Sequence, residues 1–334
     1  MNIEIKDDVF KNTLSFKDLN KLLQDLTYKQ RYGVFVEWTL VKDTVFYQRL
    51  DTDDRNDLEA YYNQFINDSL TTDYCVTASN TSINEHYFNI DDALLFFNQP
   101  VSILLENGLN DQYFIKAMIR AFDNSGLLQK HLDNHWLIFG NLGGCTNLEN
   151  EITNRKLAFA THPKPTHLYL RCFVLLDSDR KHATDPTNHK EDFLNNNMVL
   201  YHILEKRAME NYLPDEVYEN LGFETEAQKQ WKNAFLHLSD TQKNFLNIPK
   251  GFSKKDDTGA SIKSRTDLED KIQALYEDIS QANFEILDNG LTISKFKTEF
   301  PKYFEHETVH WQTLKNRCPS DELQSIINKI KQLL

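Results

Sequence analysis

Five acidic residues fall where an open parallel sheet collects its functional groups, just past the carboxyl ends of strands. Glu106 closes the apolar run "VSILLE" (101–106), and Asp111 opens the helical pattern after it. In "LLDSDR" (175–180) an apolar run, Phe173 to Leu176, leads straight into Asp177, Ser178 and Asp179. A two-residue spacing on an extended chain sends both carboxylates to one side and Ser178 to the other. Glu210, in "EKRAMENY", follows the strand-like "VLYHIL" (199–204). Like charges brought together repel, so a cation is expected among them. Hard divalent ions such as Mg²⁺ take carboxylate oxygens together with water and phosphate. Any one of these acids alone reads as an ordinary strand end or helix cap. Ordered along one strand–helix pattern, they predict a shared metal site.

Such a site needs strands that are neighbours in one sheet. From Pro100 the chain alternates strand and helix, the mark of a parallel α/β sheet. "VSILLE" is continuously apolar, as for a strand covered on both faces. The next helix carries Phe114, Ala117, Met118, Ala121 and Phe122 on one side. "HWLIFG" (135–140) reads as the second strand, and its turn "GNLGG" holds three of the ten glycines. Asn147 is placed to cap the helix "LENEITNRKLAFA". "LYLRCFVLLD" (168–177) and "VLYHIL" complete the set. Residues 99–255 thus form an expected α/β domain with a parallel sheet flanked by helices. Residues 1–98 read as a small mixed α/β lobe: "LSFKDLNKLLQDL" (14–26) has helical periodicity, whereas "YGVFVEWTLV" and "TVFYQRL" have strand composition. "NIDDALLFFNQ" (89–99) is an expected short helix stopped by Pro100. Residues 256–334 read as helical, and "DELQSIINKIKQLL" as an amphipathic helix packing back on the body.

Composition narrows the class. With 334 residues, 40% apolar and 12% aromatic, the chain has ample material for a buried core. A net charge of −13 is unlike a general nucleic-acid coat protein. Yet a carboxylate cluster that holds divalent ions accounts for part of that charge, so phosphate-bearing partners stay open. Cys75, Cys145, Cys172 and Cys318 form no C-x-x-C pair, as expected of reduced thiols. The absence of a leader-like start or a long apolar run gives the expectation of a cytoplasmic protein without a membrane partner. "HETVH" (306–310) matches the zinc-peptidase pattern, but no histidine follows it as a third ligand, and an exposed helix with incidental histidines is expected instead. No phosphate-binding G-x-x-x-x-G-K-[ST] loop occurs. The basic residues of "SKKDDTGASIKSR" suit either a nucleic-acid backbone or solvent.

The ordered series Glu106, Gly143/Gly144, Asp177-x-Asp179, "LEKRAMENYLP" with Glu210-Asn211-Tyr212, and "NIPKGF" with Lys250-Gly251 resembles the TOPRIM domain of topoisomerases, primases and OLD-family (overcoming lysogenization defect) nucleases. It is more similar to OLD-like and stand-alone TOPRIM effectors of bacterial anti-phage defence. The resemblance spans about residues 100–255. One departure stands out: the family's Glu-Gly-x-x-Asp is here "ENGLND", with Asn107 in the glycine position and one extra residue before Asp111. Asn tolerates left-handed angles, so the turn is expected to form.

The resemblance implies a Mg²⁺- or Mn²⁺-dependent endonuclease using two ions. Glu106, Asp177, Asp179 and Glu210 would be ligands, Asp111 a ligand or water-orienter, and Lys250 the cation facing the transition-state phosphate. Lys206 and Arg207 would touch phosphates, and Asn211 and Tyr212 would orient Glu210. DNA is the default substrate, with tRNA or other RNA an alternative. The effector of an anti-phage or toxin system is implied, with a separate ATPase or regulatory subunit and with oligomerisation left open. A non-catalytic interaction subunit of a defence complex is the rival reading.

Overall fold

The structure, a computed structural model, describes residues 1–12, 16–78, 85–186, 190–252 and 265–334. Alternating burial builds the first sheet: Ile3 and Ile5 of β1 (Asn2–Ile5) and Val34 and Val36 of β2 (Gly33–Val36) point into one core. With β3 (Tyr74–Val76) and β4 (Tyr87–Phe88) they form a wholly parallel sheet of order β2-β1-β3-β4. Helix α1 (Phe16–Thr27) buries Leu19, Leu22, Leu23 and Leu26 against it. Helix α2 (Thr52–Asn67) packs on β2. Helix α3 (Ile90–Asn98) starts at Asn89, whose side chain accepts the Asp92 N–H, and ends before Pro100 as expected.

The lobe corrects one expectation. "TVFYQRL" is not a strand but a helix, Val45–Arg49, capped by the Thr44 hydroxyl accepting the Tyr47 N–H at 3.2 Å. "WTLV" likewise forms a helical turn. A strand would have to hide Val45 together with Tyr47; here Val45 is 54% exposed while Phe46, Tyr47 and Leu50 are buried. Side-chain packing and the cap outweigh the β-propensity of branched and aromatic residues.

The second sheet comprises β5 (Val101–Leu105), β6 (Leu137–Asn141), β7 (Cys172–Leu176) and β8 (Leu200–Ile203), all parallel, in the order β6-β5-β7-β8. Every residue of β5 and β7 is buried, which is why their sequences do not alternate. Their odd-numbered residues, Val101, Ile103, Leu105, Phe173 and Leu175, join one core. Leu104, Val174 and Leu176 join another on the opposite face. On the first face lies α4 (Gln112–Phe122), burying Phe114, Ala117, Met118 and Phe122. Helix α5 (Leu127–Asp133) leads into β6, and α6 (Leu148–Leu157) covers the second face through Leu148 and Ile152. Asn147 occupies the position before α6, but its amide donates to the Leu142 carbonyl at 3.0 Å instead of its oxygen capping the helix.

The carboxyl-terminal region is helical, and α7 (Trp311–Arg317) and α8 (Glu322–Lys331) both pack on α4. Leu323, Ile326, Ile327 and Ile330 of α8 are buried there, as its amphipathic pattern predicts. The buried Arg171 guanidinium ties the parts together, donating to the Tyr32 hydroxyl and to the Leu333 carbonyl. "HETVH" is not helical: a 3₁₀ segment ends at Glu305, and His310 precedes α7. The two histidines bracket a turn, so neither the zinc-peptidase face nor the expected exposed helix exists. Lys254, Lys255 and Lys263 of the basic stretch lie outside the described residues. Among the described residues no helix is long and apolar enough to cross a membrane.

Candidate metal centre

Because β5, β7 and β8 run parallel in register, Leu104 beside Val174 and Leu176 beside Ile203, their carboxyl ends open on the same edge. Glu106 leaves β5 there. Its carbonyl accepts the Gly144 N–H at 3.1 Å, and the Leu105 carbonyl accepts the Leu142 N–H at 2.9 Å. The "GNLGG" turn thus clasps the base of Glu106. Gly143 and Gly144 have φ of 67° and 107°, in the left-handed region that favours glycine.

The "ENGLND" turn forms differently from expectation. Neither Asn107 nor Gly108 is left-handed. The Asn110 and Asp111 N–H groups donate to the Asn107 carbonyl at 3.0 and 2.9 Å, and the Asp111 carboxylate accepts the Asn107 N–H at 2.7 Å. Gly108 is needed for close approach instead: a β-carbon there would lie 2.7 Å from the Gly140 carbonyl oxygen. The turn draws Asp111 back towards the end of β5 and helps to fix its side chain.

Past β7, one oxygen of Asp177 accepts the Met209 N–H at 3.1 Å, joining the strand end to the segment that carries Glu210. Ser178 turns away, as its alternation predicts, and donates to the Lys206 carbonyl at 2.7 Å. Asp179 is exposed with φ of 54°, a left-handed backbone that Asp accepts better than most residues. Its N–H donates to the Arg207 carbonyl at 2.9 Å. Glu210 lies in the 3₁₀ turn Met209–Tyr212. Asn211 anchors this turn: its amide donates to the Lys243 and Leu246 carbonyls at 2.7 and 2.9 Å, and its oxygen accepts the Ala208 N–H at 3.0 Å. The Tyr212 hydroxyl donates to the buried Glu322 at 2.6 Å.

The five acids act on one another electrostatically. Burial pushes the Glu106 carboxyl up to about 7, with Asp179, Asp111 and Glu210 adding to the rise and Lys297 opposing it. Burial raises Asp111 to about 6; the Asn107 N–H and Lys297 oppose this rise and Glu210 adds to it. Asp177 rises well above the carboxylate range, through burial first and then through Glu210, Glu106, Asp111 and Asp179. Burial also raises Glu210, against the pull of Lys297 and Arg207. One buried oxygen of Glu106 has no hydrogen-bond partner among the described residues. An all-oxygen set of repelling carboxylates, four half-buried and Asp179 exposed, with an orphaned acceptor fits a hard divalent cation. Among the described residues, no three acidic, histidine or cysteine side chains as they stand converge on one ion position. Two of the carboxylates are instead drawn onto backbone N–H groups, those of Asn107 and Met209.

The cations are arranged differently from the sequence expectation. Lys206 is buried rather than facing phosphate: its ammonium donates to the Arg317 carbonyl at 2.6 Å and stands 4.7 Å from the Tyr212 ring, and burial lowers it to about 7. Arg207 is half-buried, and the charge of Asp179 acts on its guanidinium. Lys250 is exposed in the turn at 247–251 and is not among the charges that chiefly shift the acids. Lys297 holds that place for Glu106, Asp111 and Glu210. No sequence signal marks Lys297, a lysine in a helical stretch far beyond the acids. Glu322 was likewise hidden inside an amphipathic pattern; it accepts from His202, Tyr212 and the Glu205 N–H at 2.9, 2.6 and 2.7 Å. No family model matches the chain, and neither a curated protein nor a solved structure matches it.

Proposed function

We propose that this chain is a metal-dependent nuclease of the TOPRIM type, hydrolysing phosphodiester bonds of nucleic acid. One observation carries the reading: acids from three segments, Glu106 with Asp111, Asp177 with Asp179, and Glu210, stand past the carboxyl ends of neighbouring strands, and burial first and neighbouring carboxylates second raise the proton affinity of Glu106, Asp111, Asp177 and Glu210. Among the described residues, Lys297 opposes the rise of Glu106, Asp111 and Glu210, and Arg207 that of Glu210. Glu106, Asp177, Asp179 and Glu210 would hold Mg²⁺ or Mn²⁺, two ions by the resemblance, and Asp111 would hold metal or orient water. Bound there, the ions would activate a water and stabilise the leaving oxygen.

The chain's own residues supply position and charge. Asn211 and Tyr212 hold the turn of Glu210, and the glycine clasp holds Glu106. Lys297 adds a compact positive charge that acts on Glu106, Asp111 and Glu210, a role that the resemblance gives to Lys250. DNA is the default polymer and tRNA or other RNA the alternative. The effector role in anti-phage defence or toxicity, with a separate ATPase or regulatory subunit, rests on the resemblance alone.

The test incubates purified chain with plasmid, linear DNA and total tRNA, in Mg²⁺, Mn²⁺ or EDTA, beside Asp177→Ala/Asp179→Ala. Metal-dependent cutting by wild type alone supports the nuclease and identifies its polymer. Absence of both cutting and metal binding in wild type refutes it and leaves an interaction subunit.

A further inference from the structure

A groove of about 590 Å³ begins at the site and runs away from it between α4, α5 and β6. Its near end is formed by Gly108 and Asn141, whose side-chain oxygen accepts the Gly108 N–H at 3.2 Å, two residues beyond Glu106. Along one wall stand Lys116 and Arg120, four residues apart and therefore one helical turn, about 6 Å, along α4. Arg120 uses one guanidinium nitrogen on the Phe304 carbonyl at 2.7 Å and is exposed. Lys116 stands 5.8 Å from the ring of Phe139, a half-buried aromatic on the floor. Asp133 is the carboxylate of the lining, and the Gln129 amide already donates to it at 2.8 Å.

This local excess of cations is unexpected on a chain of net charge −13. A cationic stripe with an aromatic floor, leading away from a carboxylate site, suits a polyanion with planar bases. The groove lies between side chains of two helices and a strand. We infer that it binds the single-stranded nucleic-acid segment flanking the scissile phosphate, Lys116 and Arg120 meeting successive phosphates and Phe139 a base. This rests on the nuclease reading above. Lys116 and Arg120 outnumber the lining carboxylate, Asp133, which favours a polyanion, and a peptide seated on the apolar lining is the rival outcome of the test.

The test measures anisotropy of short labelled single-stranded DNA and RNA oligonucleotides with the full chain, Ca²⁺ replacing Mg²⁺ to block cutting. Wild type is compared with Lys116→Gln/Arg120→Gln and with Phe139→Leu, thermal melting confirming that each is folded. The double variant should bind about tenfold more weakly and lose roughly 1.4 from the slope of log affinity against log salt, two phosphate contacts on a single strand. The DNA and RNA arms tell which backbone is preferred. Unchanged affinity and slope in the double variant, or no binding of either polymer by wild type, overturns the inference. So does a co-purifying polypeptide lost from the double variant whose oligonucleotide affinity is unchanged. Mn²⁺ titration of the same proteins separates the two failures: intact metal binding and cutting with no groove effect rejects the groove alone, whereas a groove effect without metal binding rejects the nuclease.

Discussion

Replacing Glu106 by Gln should stabilise the metal-free protein, and increasingly so as pH rises towards neutrality. The carboxyl moves from its usual 4.5 to about 7 on folding, so between those values the native state holds a proton that the unfolded chain has lost. Stability then falls as pH rises through that window, by 1.36 kcal/mol for each tenfold in proton affinity, or roughly 3 kcal/mol in all. Asp111, raised from 3.8 to about 6, contributes in the same direction, though not additively, because both share the same repulsion. His131 opposes them: buried, and lowered to about 4, it adds stability as pH rises from 4 to 6.5. His131 is common to both proteins and cancels in the difference between them. At ~2 °C per kcal/mol for a chain of this size, Glu106→Gln should gain on the order of 6 °C in Tm over wild type between pH 4.5 and 7. Differential scanning fluorimetry in chelator measures it. Saturating Mn²⁺ should abolish or reverse the gain, because the wild-type site then has its cation. A difference that does not change with pH, or that favours wild type as pH rises without metal, would refute the argument that burial and the neighbouring acids together raise Glu106.

Three further outcomes follow from the same geometry. Glu322→Ala should cost about 3–5 kcal/mol, leaving the buried Tyr212 and Glu205 donors unmet, and should weaken Mn²⁺ binding through the freed Glu210 turn; unchanged Mn²⁺ affinity in folded variant would deny the coupling. Lys297→Ala should raise the proton affinity of Glu106 further and move the onset of metal binding to higher pH, read by Mn²⁺ titration across pH; Lys250→Ala serves as the comparison and should do so less. Lys206→Met should leave nucleic-acid affinity unchanged and be neutral or stabilising at pH 6, where the buried lysine is charged in both states and its desolvation penalty is full; a weakened oligonucleotide complex would show that it reaches phosphate after all.

The second sheet was legible because its signals are strong and local. "VSILLE" and "CFVLL" are short apolar runs without alternation set in a strand–helix alternation, as for strands covered on both faces, and the acids beyond them are placed by that. The amphipathic α8 was legible for the same reason. "TVFYQRL" failed because composition alone cannot tell a short helix from a short strand; Thr44 as a cap was the available signal, and it was outvoted by Val45, Phe46 and Tyr47. The cations failed for a different reason. Whether Lys206 meets solvent or the Arg317 carbonyl depends on where α7 packs, a contact 111 residues away in the chain. Glu322 meets Tyr212 across 110 residues of chain, and the charge of Lys297 acts on Glu106 across a still longer stretch. Gly108 lies inside the "ENGLND" turn, but its need comes from the nearby Gly140 carbonyl of a neighbouring strand, which no local pattern shows.

The central claim is that the acids of one sheet edge form a divalent-metal centre. Equilibrium titration of the metal-free chain with Mn²⁺, followed by electron paramagnetic resonance, tests it without requiring a substrate or a partner. The account predicts saturable binding of two ions, strengthening from pH 6 to 8 as Glu106 and Asp111 lose their protons, and lost in Asp177→Asn/Asp179→Asn. Binding that ignores pH and survives that substitution, or no saturable binding at all, would contradict it.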